Sequence, residues 1–154
     1  MREISLLNKE HSEQSNQIME QYKMYVEMAD RVSQRRINVN TFFLSANIIV
    51  LTIVGIKGFE VKKYSLIIMI VGIILSYTWY YLLESYKLLN SRKFEIIQEV
   101  EQLLPLNLYI YEWEKLGEGR NRARYWPVSN IEKIIPFLFA VVYILFELVV
   151  ILGG

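Results

Sequence analysis

Residues 134–152 read IIPFLFAVVYILFELVVIL, a run of 19 whose only charged side chain is Glu147. As a helix rising about 1.5 Å per residue, this run spans about 28 Å, the thickness of a bilayer's hydrocarbon core. A carboxylate at that depth is costly unless it is protonated, paired or turned toward water, so it marks a functional position by default. Two further apolar runs, residues 64–83 and the shorter 41–56, contain no Asp, Glu, Lys or Arg. The shorter one crosses only with tilt, local thinning or snorkelling by Lys57. The chain therefore reads as an all-α integral membrane protein with three transmembrane helices.

Composition agrees with that reading and excludes most catalytic chemistry. The 154 residues are 53% hydrophobic at a net charge of +1, and the apolar residues are bunched rather than spread. The first 40 residues are polar and charged, so no cleavable signal peptide is expected. Cysteine is absent, which removes disulfides, thiolate nucleophiles and thiolate metal sites. The one histidine, His11, has no partner at metal-ligand spacing, and there is no Gly-rich phosphate loop or Ser/His/Asp set. Glu112 and Glu114 flank Trp113 at the spacing of a solvated face. The expectation is no enzyme, no metal and no cofactor.

Charge sets the expected topology. With three spans, the N-terminal segment and the connection between spans two and three share one side, and they hold 14 of the 17 Lys and Arg residues. The other side holds Lys57, Lys62 and Lys63. The positive-inside rule places the N-terminus in the cytoplasm and the C-terminus outside. The chain then divides into a cytoplasmic N-terminal helix over 1–40, a transmembrane hairpin over 41–83, a cytoplasmic helix with an amphipathic basic segment over 84–133, and a third transmembrane helix over 134–152.

Periodicity extends the helices beyond the bilayer. Ile18, Tyr22, Tyr25, Ala29, Val32, Arg36 and Val39 are spaced alternately four and three apart, as are Leu82, Tyr86, Leu89, Lys93, Ile96, Val100 and Leu103. Two seams of equal length predict that helices one and two form an antiparallel hairpin whose cytoplasmic arms zip together. Arg36 and Lys93 would then meet acids such as Asp30, Glu95 or Glu99, or Lys93 would snorkel to solvent. Ser129 or Asn130 is expected to cap the third span.

Polar positions inside the spans give the candidate sites. Pro136, Ala140, Tyr143, Glu147 and Gly154 share one stripe of span three. Asn40 and Asn47 are seven apart on span one, as are Ser45 and Thr52, and span two offers Ser65, Met69, Gly72 and Ser76; all are expected to point inward. Glu147 falls near the level of Thr52 and of Met69 or Ser65. A three-helix subunit shelters a carboxylate poorly, so a homo-oligomer, with a tetramer as the expected count, is predicted to gather Glu147, Tyr143, Asn47 and Thr52 as pore-lining or gating residues. The competing reading makes Glu147 a protonated interhelical tie. A second constellation, Arg120, Arg122 and Arg124 before Tyr125-Trp126, suits lipid headgroups and the membrane interface. The sharper alternative is a surface for the phosphates and bases of a nucleotide or oligonucleotide, with Arg35 and Arg36 joining from helix one.

Several short motifs carry a resemblance. Tyr25-Val26, Ala29-Asp30, Ser33, Arg35-Arg36, Asn40 and Phe42-Phe43, followed by Trp79, Ser85-Tyr86, Leu89-Asn90 and Lys93-Phe94, resemble small bacterial membrane effectors of the SLATT type. Leu104-Pro105, Glu112-Trp113 and residues 132–136 are similar to a subset found beside nucleotidyltransferase-like genes, including the membrane subunit of Hailong-type anti-phage systems. SLATT proteins ordinarily have two spans, and this chain adds a third bearing Glu147. The resemblance implies an oligomeric inner-membrane pore that depolarises the cell when a nucleotide-type signal opens it. The residues themselves leave a rival open: a non-conducting membrane adaptor or scaffold that recruits a cytoplasmic partner.

Overall fold

The computed structural model describes residues 15–57, 62–119 and 127–153. These form α1 (Ser15–Lys57), α2 (Ser65–Glu101), α3 (Leu108–Lys115), a 3-10 turn (Gly117–Gly119), α4 (Val128–Glu132) and α5 (Ile134–Leu152), with no strand among the described residues. The 43 residues of α1 and 37 of α2 correspond to about 65 and 55 Å of helix, roughly twice a hydrocarbon core. α1, α2 and the α4–α5 region are each long and apolar enough to cross a membrane. No proline precedes Pro105, and α1 meets no glycine before Gly55, so nothing interrupts α1 as it leaves the apolar region. α2 ends at Glu101, shortly before Pro105. α3 ends at Lys115 and is followed by Gly117, whose φ of 72° is the left-handed geometry that glycine adopts without penalty.

α2 is the central element. It packs along both α1 and α5. Antiparallel register follows from the cross-links: Tyr22 meets Glu101, Asn40 meets Trp79, and Phe43 stacks on Trp79 at 6.1 Å. The same holds for α2 and α5, where Trp79 packs on Phe139 and Gly72 lies under Tyr143. The apolar core is small, with Phe43, Trp79 and Leu83 buried and Val39, Leu75, Leu82, Ile135 and Phe139 packed around them.

The first seam matches the expectation, since Ile18, Tyr22, Tyr25, Ala29, Val32, Arg36 and Val39 are all buried or partly buried. The second matches in part, since Leu82, Tyr86, Lys93, Ile96 and Val100 are buried or partly buried. Leu89 and Leu103 are exposed, and the buried line runs through Trp79, Leu83, Lys93, Ile97 and Glu101, with Asn90 partly buried beside it. Trp79, Leu83 and Ile97 are buried by apolar packing, whereas Lys93 and Glu101 are held by partners from other elements. The seam cations also pair differently from the expectation. Lys93 lies 4.4 Å over the Tyr25 ring, a cation–π contact at 8% exposure, and Arg36 faces Glu132 at 3.4 Å. Neither Ser129 nor Asn130 caps a helix with its side chain; Pro127 and Lys133 occupy the N-cap positions.

Gly72 sets the approach of α5. A β-carbon there would collide with the Tyr143 ring, whereas one at Gly55 would meet nothing within 4 Å. We expect Gly72→Ala to cost about 1–3 kcal/mol through overpacking, seen as a lower unfolding midpoint in detergent. Gly55→Ala should leave that midpoint unchanged or raised.

Candidate functional site

The faces of α1, α2 and α5 that meet carry a ladder of polar groups. At the ladder's lower end, Arg36 and Glu132 are both largely buried at 3.4 Å, and no aligned hydrogen bond forms between them. Beside them Lys133 pairs with Glu84, and Lys87 Nζ donates to Asn130 Oδ1 at 3.0 Å. This belt ties the start of α5 to both long helices. One rung further, Trp79 Nε1 donates to Asn40 Oδ1 at 3.0 Å, satisfying an indole that is otherwise fully buried.

The next rung brings together two of the sequence-predicted residues. Asn47 is fully buried; its Nδ2 donates to Phe43 O at 2.8 Å, and its Oδ1 accepts from the Tyr143 hydroxyl at 3.0 Å. Tyr143 reaches from α5 to α1 across the notch that Gly72 leaves in α2. Hydrogen bonds of this kind between membrane helices contribute about 0.6 kcal/mol on average and up to about 1.7. Glu147 lies one turn beyond Tyr143, 9% exposed, and its Oε2 has no partner. Ser65 and Ser76 are buried on the facing side of α2, and Ser76 Oγ is likewise unpartnered. The expected inward stripes, Pro136–Tyr143–Glu147 and Ser65–Gly72–Ser76, are therefore the buried ones.

Thr52 is placed elsewhere. It is exposed, and its hydroxyl donates to Ile48 O of its own helix at 2.7 Å. Ser45 is exposed on the same side. Of the two seven-residue pairs on span one, Asn40/Asn47 faces inward and Ser45/Thr52 outward, which corrects the expectation that both point in.

Below the spans, Glu101 is a binding centre that the sequence did not reveal. Its carboxylate is fully buried at the end of α2. It accepts from the Tyr22 hydroxyl at 2.8 Å, from Tyr109 N at 3.0 Å and from Ile110 N at 3.1 Å. Those amides belong to the first turn of α3, where backbone donors lack helical partners and the helix dipole favours an anion. One carboxylate thus joins α1, α2 and α3. The available signal was positional, because Glu101 follows Ile97 by four on the true seam of α2.

A cavity of about 620 Å³ opens between α2, α3 and α4, lined among others by Arg36, Asn90, Phe94, Tyr109 and Trp113. Arg36 faces it, whereas Arg35 is exposed on α1. Arg120, Arg122, Arg124 and Trp126 lie outside the described residues. Among the described residues, no cluster of His, Asp or Glu could hold a metal ion.

With this geometry in view, the chain belongs to the octameric membrane protein family (8xMP), whose model matches residues 19–152. It is an oligomeric, multi-pass membrane protein. The family's description is of octamers, which corrects the tetramer expected from sequence. No curated protein and no solved structure matches the chain.

The Glu101 centre makes a pH prediction. Burial first, then the hydrogen bond to Glu101 and its charge, push the Tyr22 hydroxyl well above its ordinary value of 10. The fold favours the protonated phenol, so the contact is intact below pH 10 and its contribution is lost as pH rises beyond that. Thermal unfolding followed from neutral to strongly alkaline pH should show this loss, and Tyr22→Phe should remove that alkaline step.

Proposed function

We propose that eight copies of this chain form an ion-conducting channel across a bacterial inner membrane, with the N-terminal arms in the cytoplasm and Glu147 governing the conducting path. The observation that carries this reading is the unpartnered, nine-tenths buried carboxylate oxygen of Glu147 inside a helix otherwise built for lipid. A group so costly in hydrocarbon is kept where charge or water must pass. Tyr143 and Asn47, bonded to each other one turn away, hold α5 against α1 and fix where Glu147 sits. The positive-inside bias supports the orientation, and a parallel ring keeps every copy in that orientation.

The SLATT-type resemblance supports a role in anti-phage defence, in which opening depolarises the cell. A nucleotide or oligonucleotide signal, made by a nucleotidyltransferase-like partner protein, would act on the cytoplasmic side. The cavity beside Arg36 offers aromatic faces from Phe94, Tyr109 and Trp113 for a base. Arg35, Arg120, Arg122 and Arg124 are the remaining candidates for phosphate or lipid headgroups.

A second reading, a non-conducting adaptor, is favoured by one observation. The arms expose Met24, Met28, Leu88 and Leu89, apolar side chains suited to a partner helix.

Membrane potential separates the two. On induction in bacterial cells, with a voltage-sensitive dye as readout and membrane levels matched, the wild type should depolarise the membrane and Glu147→Gln should change the extent or the threshold. An adaptor depolarises under no condition, including with the signal-producing partner and phage present.

A further inference from the structure

The outer faces of α5 and α1 differ. That of α5 consists of Phe137, Leu138, Val142, Leu145, Val149 and similar side chains, all exposed and all apolar, as lipid requires. The outer face of α1 is unlike it. Gln34, Asn38, Thr41, Ser45, Ile48, Thr52 and Gly55 are all exposed and follow one another at spacings of four and three. The line continues toward the N-terminus through Arg31 and Glu27, which form an exposed ion pair at 2.7 Å. Gln34 and Asn38 also bond along it at 3.2 Å.

This column lies opposite the face that packs on α2, so the Asn40/Asn47 side groups cannot serve it. Beside it runs a second column of exposed residues seven apart: Phe42, Ile49 and Ile56. A strict seven-residue repeat maintained over this length is the pattern of helices that wind around a shared axis with a left-handed twist. One column suits water and the adjacent one suits a neighbouring helix.

We propose that α1 lines the central axis of the octamer, its Gln34-to-Gly55 column facing a water-filled path and Phe42, Ile49 and Ile56 packing against the next copy. This rests on the octameric channel reading and sets the wall of that channel on the side of α1 away from α2, so that Glu147, buried among the helices of its own subunit, acts on the path from behind that wall and does not line it. Eight helices at ordinary interaxial distances of about 8–10 Å have their axes about 10–13 Å from the centre. Subtracting a helix radius of about 5–6 Å leaves a lumen about 5–8 Å in radius. An apolar wall around such an opening would admit lipid; a wall of hydroxyls and amides holds water. A lumen of that width passes hydrated ions, so it discriminates little between sodium and potassium. Ile48 is the one apolar ring along the path.

The absence of native cysteine makes the test direct. Full-length Ser45→Cys, Thr52→Cys, Leu145→Cys and Val149→Cys proteins, each verified as intact oligomers, are reconstituted in bilayers. They are then exposed from both sides to a charged, membrane-impermeant methanethiosulfonate. Labelling at Ser45 and Thr52 should be at least about tenfold faster than at Leu145 and Val149, and each modification should lower single-channel conductance at least about twofold. Conductance with unreactive Ser45 and Thr52 positions would overturn the α1 lining and leave the channel standing. Fast labelling of those positions without conductance would keep the water-filled axis and overturn the channel. Faster labelling on α5 than on α1 would overturn the lining whether or not current flows.

Discussion

Every polar side chain in a hydrocarbon layer must find a partner within the protein or face water, and the arrangement of the spans follows from that constraint. Asn40 and Asn47 lie on the inner side of α1 and are matched from two other helices, by the Trp79 indole and the Tyr143 hydroxyl. Thr52 lies on the outer side and returns its hydrogen bond to its own backbone, a solution open to a short hydroxyl but not to a carboxylate. Glu147 has neither solution at Oε2. Burial without a partner is tolerable for a structural residue only at a net loss, which is why this side chain draws the functional reading and Asn47 does not.

Reach is the second requirement, and it explains the small residues of α2. Tyr143 passes over α2 at Gly72 on its way from α5 to Asn47 on α1. Gly72 supplies the gap and Tyr143 the length. The buried serines at 65 and 76 keep the same face narrow. Replacing the small residue would separate the helices, and the Asn47 bond would be lost with the packing, so the two effects are coupled rather than additive.

Much of this was legible in the sequence where a single helix determines the answer. The three apolar runs, the seam from Ile18 to Val39 and the Pro136–Tyr143–Glu147 stripe depend on composition and on the helical repeat alone. The second seam failed at Leu89 and Leu103, which hydrophobicity favoured, and it left out Glu101, which is seated by the Tyr22 hydroxyl and by the amides of α3. Tyr22 is distant in sequence and the α3 donors are backbone amides, so neither carries a periodic signal. Arg36 was assigned acids near the arms, yet its partner Glu132 comes from the helix that precedes α5. The two seven-residue pairs on span one were indistinguishable by spacing, since both repeat identically and only the position of α2 decides which one is covered.

The continuity of α1 connects these observations to regulation. One uninterrupted helix carries the Tyr22 contact to Glu101 in its arm, Arg36 beside the cavity, Asn47 inside the bundle and the polar column on its outer side. A helix without glycine or proline between those points transmits a rotation or an axial shift instead of absorbing it at a hinge. Rotation by a single residue, about 100°, would turn the column away from the axis and break the Asn47–Tyr143 bond at the same time. In the proposed channel, a ligand that displaces Arg36 from Glu132 therefore acts on the wall of the path through one rigid element. The energy at stake is that of a few hydrogen bonds and one ion pair, within the few kcal/mol that separate two accessible states of a protein.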